Sequence, residues 1–379
     1  MSRVPLVVVG AGPAGLSTAL FLQATDRRLA ERLVVLEAGR FPRDKICAGA
    51  VGGRADHALA RIGVTVDVPS APIRGIAVST QARTAVFRLD EVAGRVVRRI
   101  EFDAELARIA RARGIDVREG ATVRAITTGR DGLSIAIDGG DTIEADAVVG
   151  ADGVRSIVRR SLGFDRGDIV AQVAELDTTA ATHDHGDDVL HFDLRARRVA
   201  GYAWDFPTPL HGALHVSRGA YVLRHAAVAT DPAEHTRARL PAGAEVVVPT
   251  RRFSERAFVR GAALSQPRAI LVGEAAGIDP VLGEGIAQAI LGGEVAARYL
   301  APRLARMDHR FDDWAATFAS TSVGRDLARR AACFPYVYGA MRDVVERHVV
   351  TNGAIARAGL RYFAGMLSRE SVRSWVLRS

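Results

Sequence analysis

The stretch Leu6–Val9 followed at once by Gly10-Ala11-Gly12-Pro13-Ala14-Gly15 constrains this chain more than any other. An apolar, β-branched run that meets three glycines at G-x-G-x-x-G spacing, with no loop between, predicts a buried parallel strand turning straight into a helix. Gly10 permits the tight turn, Gly12 lets the backbone approach a pyrophosphate, and Gly15 lets the helix pack on the sheet. The helix N-terminus, at Pro13 and Ala14, then offers free N–H groups to phosphate.

The next elements along the chain add weight to the motif. A helix over roughly 13–24 leads to a second apolar run, Leu33-Val34-Val35-Leu36, which ends in Glu37. Glu37 lies 22 residues beyond Gly15, where a carboxylate meets the ribose hydroxyls of a dinucleotide. Ala38, beside it, joins the cofactor-side candidates.

Length and composition exclude several classes. At 379 residues the chain can fill two packed domains. No apolar run reaches the ~18 residues of a membrane span. The N-terminal apolar stretch, Val4 to Val9, runs directly into the glycine motif, so no secretory signal is expected. The expectation is a cytoplasmic protein, free to touch a membrane surface. The net charge is +8, yet Lys45 is the only lysine among 51 basic residues. Such a bias fits a GC-rich bacterial genome, and the arginines are scattered rather than gathered on one face, so nucleic acid is not an expected partner. Cys47 and Cys333 are far apart and outside any CxxC spacing, so neither a disulfide framework nor a metal site is expected.

The loop Ala38 to Gly49, rich in charge and glycine, sits where open α/β sheets bind ligands. It contains Lys45, Cys47 and Ala48. Two readings of Cys47 stand: a packed thiol in a solvated connection, or a group working beside the cofactor. Further on, residues 55–62 read as a helix, 73–80 and 84–89 as a hairpin, and 104–113 as a helix stopped by Gly114. Residues 115–117 read as a strand, then Val123 to Ile126 and Ser134 to Ile137 as a small meander. Ala147 to Gly150 returns to the parallel sheet and turns through Asp152-Gly153 into another helix. From 164 to 260 the pattern is strand-like, with Tyr202, Trp204 and Phe206 alternating along one face. That face either lines an apolar channel or is ordinary core. Ala269 to Val272 is the last parallel strand, and a long helix runs from Ile286 to about Leu300. Residues 311–379 read as helices whose tyrosines either close a lipid tunnel, touch a bilayer, or simply pack.

Three motifs agree at this point, and the chain resembles the flavoprotein hydroxylase superfamily. Gly10 to Gly15 matches its dinucleotide fingerprint, Asp152-Gly153 with Ser156 and Arg159 its second motif, and Leu271 to Ala276, containing Gly273 and Glu274, its third. Within that superfamily the chain is similar to geranylgeranyl reductases. Pro42 to Gly49 resembles their cysteine-glycine loop, and Tyr202-x-Trp204-x-Phe206-Pro207 their aromatic substrate motif. Gly277 to Ile286, with Pro280, Gly283 and Gly285, follows their pattern too. Arg99, ahead of Phe102-Asp103, matches an arginine such proteins place near FAD. Val123 falls among the cofactor-side positions.

The resemblance implies an α/β protein: a Rossmann-like FAD-binding domain (1–72, 93–163, 262–300), an antiparallel-sheet substrate domain (73–92, 164–261) and a C-terminal helical region (301–379). It implies an FAD-dependent oxidoreductase that saturates double bonds of a prenyl or similarly lipophilic substrate. Cys47 would donate or position the proton, and Tyr202, Trp204 and Phe206 would line the channel. A helix starting near Gly285-Ile286 would aim its positive end at the flavin ring, and Gly283 and Gly285 would let backbone approach it. With no second G-x-G-x-x-G, NAD(P)H would visit transiently or another protein would deliver electrons. Two positions depart from the pattern: Glu274 replaces the usual aspartate, and Leu214 replaces a glycine, which bears on the channel's shape. The alternatives are a monooxygenase or halogenase on the same fold, and a prenyl-binding escort that makes no use of FAD. The oligomeric state is not readable from the sequence.

Overall fold

Leu6–Val9 and Leu33–Glu37 are buried along their whole length, as strands covered on both faces must be. They form the centre of a six-stranded sheet ordered Ser265–Gln266, Ala269–Leu271, Val148–Gly150, Leu6–Val9, Leu33–Glu37, Asp116–Glu119. Every pairing is parallel except that of the short edge strand Ser265–Gln266. The computed structural model describes residues 3–165, 170–181, 184–197, 199–223 and 230–367.

The helix Pro13–Thr25 lies against this sheet, and the helix Ile286–Ala305 packs closely on that helix in turn. A Cβ at Gly293 would lie 2.8 Å from the Thr18 nitrogen and 2.9 Å from the Ala14 oxygen, so only glycine allows that approach. The meander Val123–Thr128, Leu133–Ile137 and Thr142–Ala145 joins the same core.

A seven-stranded sheet lies beside the first, ordered Val246–Arg256, Val170–Thr178, Ala213–Leu223, Gly201–Leu210, Val189–Asp193, Gly75–Ser79, Thr84–Arg88. It is antiparallel apart from the pair Val189–Asp193 with Gly75–Ser79. Its inner face carries an aromatic cluster with Tyr202, Trp204, Phe206 and Tyr221. Burying each such ring stabilises the fold by about 2 kcal/mol. A small sheet of Ala50–Gly52, Gly94–Val97 and Ser70–Ile73 stitches the two together.

The structure differs from the sequence reading in local places. Ile73 ends the small sheet instead of starting the hairpin, because Arg74 and Gly75 turn the chain toward Asp188 through their amides. The stretch 164–260 is interrupted by the helix Pro232–Ala238, capped by Asp231. The helix expected from 104 begins at Arg99, and the long helix expected to end near Leu300 continues to Ala305. Trp314–Ser320, Ser322–Val337, Arg342–Thr351 and Gly353–Ala364 form the C-terminal helices, and 368–379 lie outside the described residues.

Candidate functional site

Two cavities meet between the sheets. The larger, about 760 Å³, runs along the carboxyl ends of the parallel strands from the glycine motif to Gly283, Gly285 and Ile286. The smaller, about 390 Å³, is walled by apolar side chains of the seven-stranded sheet and the C-terminal helices. Cys47, Phe253, Glu255, Gly283, Gly285 and Ile286 line both.

The larger cavity collects most of the residues expected beside the cofactor. Gly10, Gly12, Pro13, Ala14, Glu37, Ala38, Lys45, Cys47, Arg99, Val123, Asp152, Gly153, Glu274, Gly283, Gly285 and Ile286 lie on its wall. Four others do not. Gly15 packs under the helix, where a Cβ would run into the Gly10 carbonyl, and Gly273 packs against Ala14. Pro280 is buried behind the wall, its carbonyl accepting from the Tyr221 hydroxyl at 3.4 Å. Ala48 faces the apolar cavity alone.

Three observations fit these walls to a dinucleotide. The helix Pro13–Thr25 has Gly12 at its N-cap, proline in its first turn and no side chain capping it, so its first N–H groups remain for phosphate. A Cβ at Gly12 would meet nothing nearer than Arg99 at 3.9 Å, so this glycine opens onto space. Asp152 uses Oδ2 to accept from the amides of Ile157 and Val158, at 2.6 and 3.2 Å, while its buried Oδ1 has no partner among the described residues.

Glu37 is fixed before any ligand arrives. Its Oε2 accepts from the Ala11 amide and from Arg43, and its Oε1 from the Gly39 amide, all at 3.0 Å. A lone pair on Oε1 remains for a ribose hydroxyl. Arg43, in the cysteine-glycine loop but not expected beside the cofactor, also donates to Asp103 at 2.9 Å. Arg99 grips the same carboxylate with two bonds of 2.7 and 2.6 Å. That pairing holds the Arg99 guanidinium charged despite burial. Arg124 and Arg155, two more arginines on the wall, carry no sequence signal that would separate them from the other arginines of the chain.

The second and third motifs hold each other. Ser156 caps its helix at the Arg159 amide, 3.0 Å away, and Arg159 donates to the Ala275 carbonyl at 3.0 Å. Glu274, in the turn Gly273–Ala275, binds Lys45 at 2.8 Å. The one lysine is thereby occupied in tying the cysteine-glycine loop to the third motif.

The apolar cavity receives Tyr202, Trp204 and Phe206. Trp204 lies across the sheet from Gly219, where any Cβ would collide with its indole. Three tyrosines hold three successive carbonyls of the loop at the junction: Tyr221 holds Pro280, Tyr338 holds Val281 and Tyr202 holds Leu282. Asp279 caps the same loop at the amides of Val281 and Leu282 and is held by Arg330 at 2.5 Å. Leu214, expected to bear on the channel's shape, stands exposed at the far end of its hairpin and lines neither cavity.

Cys47 is half-buried, with its Sγ accepting from the Gly49 amide at 3.4 Å. Burial pushes its thiol up, outweighing the nearby Arg99 guanidinium. It therefore stays a thiol at neutral pH.

A glycine-lined cleft across parallel strands, opening onto an apolar chamber, defines a flavoprotein of the two-sheet kind. A family model described as FAD binding domain matches residues 3–203, and the chain belongs to that family. It is an FAD-dependent oxidoreductase. It is 28% identical over 319 residues to a menaquinone reductase of Mycolicibacterium smegmatis, covering 79% of this chain and 76% of that one. In fold it is similar to a geranylgeranyl bacteriochlorophyll reductase-like protein of Thermoplasma acidophilum, with TM-score 0.78 and 19% identity over 99% of this chain and 98% of that one. It is also similar to a flavin-dependent brominase, with TM-score 0.75 and 16% identity over the whole of both chains.

Proposed function

We propose that this oxidoreductase saturates carbon–carbon double bonds in a prenyl chain of a lipophilic substrate. The observation that carries the reading is the shared wall: the apolar cavity opens onto the cofactor cleft at Cys47, Glu255 and Gly283. When bound and reduced, FAD supplies hydride. The chain's own residues do the rest. The aromatic face of Tyr202, Trp204 and Phe206 holds an apolar chain and excludes water, and the tyrosine-tied loop at 280–282 keeps the junction rigid. Gly285 opens the helix Ile286–Ala305, whose positive end lies at the junction and favours negative charge there.

The mycobacterial relative supports a polyprenyl quinone as the substrate class. The reductant is NAD(P)H as a transient visitor or a protein donor. Among the described residues no helix is long and apolar enough to cross a membrane. The C-terminal helices that wall the apolar cavity, with the turn between them, hold Tyr336, Met341 and Val344 outward, 58%, 46% and 45% exposed, which supports peripheral contact with a bilayer.

A monooxygenase is the second reading, favoured by the likeness to the brominase fold. Halogen transfer through a lysine does not suit Lys45, since Glu274 holds it. Product analysis separates the two. After one turnover with menaquinone under argon and then air, which restores the quinone ring, a product heavier by two hydrogens supports saturation of the side chain. A product heavier by one oxygen atom refutes it.

A further inference from the structure

We propose that Glu255 is the acid that gives the substrate carbon its proton. The inference rests on the reading that a double bond is reduced, and it deepens that reading by assigning the second hydrogen.

Saturating an alkene takes a hydride at one carbon and a proton at the other. In an apolar chamber water is scarce, so the proton must come from a side chain at the junction. Six residues line both cavities, and only Cys47 and Glu255 among them have an acidic proton to give. A thiol is intrinsically the weaker acid by about four units, burial weakens Cys47 further, and its sulfur is engaged by the Gly49 amide.

Glu255 is placed differently. It lies next to last in the edge strand Val246–Arg256, opposite Ala171, with Phe253 on the same inward face. Its Oε2 is buried and has no hydrogen-bond partner among the described residues. A Cβ at Gly283 would come within 2.9 Å of that oxygen, so the glycine at the junction makes room for this carboxyl. Burial, then the carboxylates of Glu274, Asp279 and Glu175, hold it well above the ordinary carboxyl range. Lys45 alone opposes them, and its ammonium belongs to Glu274. The phenols of Tyr202 and Tyr221, which also feel Glu255, stay neutral in the same surroundings. The surroundings of Glu255 thus favour its protonated form, and its Oε2 meets no acceptor among the described residues.

In the step, the Oε2–H bond breaks and a C–H bond forms at one alkene carbon as the π pair takes up the proton. The other carbon receives the hydride, the reduced flavin is oxidised, and Glu255 is left as carboxylate. Water reprotonates it once the product has left.

The test uses the holoenzyme, reduced with dithionite and mixed under argon with menaquinol, whose ring is already reduced so that only the side chain can take electrons, with Glu255→Gln and Glu255→Asp beside the wild type. Wild-type reoxidation should hold through neutral pH and fall as pH rises through the raised pKa. Glu255→Gln should slow it by about 10²–10⁴ and abolish that pH dependence, while Glu255→Asp, which keeps an acid, should retain part of the rate. FAD titration of both variants checks that the cleft has folded. An independent readout is the infrared spectrum of the FAD-free protein at neutral pH, where a protonated-carboxyl band present in the wild type should vanish in Glu255→Gln. Absence of that band, or a Glu255→Gln rate within about threefold of wild type, overturns the proposal and leaves the reductase reading standing. If the wild-type holoenzyme itself passes no electrons to menaquinol, the reductase reading falls and this assignment falls with it, whatever the infrared band shows.

Discussion

Gly12 has space where Gly15 has none, and the contrast says what each is for. A Cβ at Gly15 would run into the Gly10 carbonyl, whereas one at Gly12 would first meet Arg99, 3.9 Å away. The protein's own packing demands Gly15, and an approaching ligand demands Gly12. Gly12→Ala should therefore leave the FAD-free protein within about 1 kcal/mol of wild type in urea unfolding. The same change should weaken FAD binding by about tenfold or more, about 1.4 kcal/mol. Unchanged FAD affinity would mean that no pyrophosphate passes this glycine. Such residues are legible in a sequence because their chemistry is written in neighbouring backbone. The roles of Arg43 and Glu255 are not, because what sets them lies in partners elsewhere in the chain: Arg43, though inside a motif, meets Asp103, and Glu255 meets Gly283. A hydrogen-bonded row of Ser79, His191 and Asp205, 2.9 Å at each step, has the look of a nucleophile with its base. Ser79 is 2% exposed, lines neither cavity and shares its hydroxyl with Thr84, so the row is core structure.

Among the elements, the strand Gly201–Leu210 does two jobs with one alternation. The rings of Tyr202, Trp204 and Phe206 wall the apolar cavity, and the Tyr202 hydroxyl also holds the Leu282 carbonyl at the junction. The period-2 pattern shows that these rings share a face, but not that the face opens on a cavity, since core and channel residues alternate alike. The missing information is the neighbouring strand: Trp204 fits only because Gly219 opposes it. Gly219→Ala should push the indole into the cavity, slow reoxidation by menaquinol at least tenfold, about 1.4 kcal/mol of barrier, and leave FAD affinity at the wild-type value. Equal loss of FAD binding would mean that the two cavities do not act as separate compartments. The same logic explains Leu214, which a linear motif places beside the aromatics but which the hairpin carries out to solvent.

Across the whole molecule, the flavin-binding half is the more legible part. Its three motifs are local glycine and carboxylate patterns, and the structure brings Gly12, Asp152 and Glu274 to one cleft from strands far apart in sequence. The chamber beside it is assembled from the seven-stranded sheet, the loop at 280–282 and the C-terminal helices, none of which announces its neighbours. On the proposed reading, the meeting of the two compartments lets electrons held in the cleft reach an apolar chain before they reach oxygen. Stopped-flow absorbance of the reduced holoenzyme tests this most directly. On mixing under argon with menaquinol, whose ring can take no more electrons, the oxidised flavin spectrum should return, and faster than it does in air without substrate. A reduced flavin that stays reduced with menaquinol under argon, and reoxidises only when oxygen is admitted, would contradict that order of events.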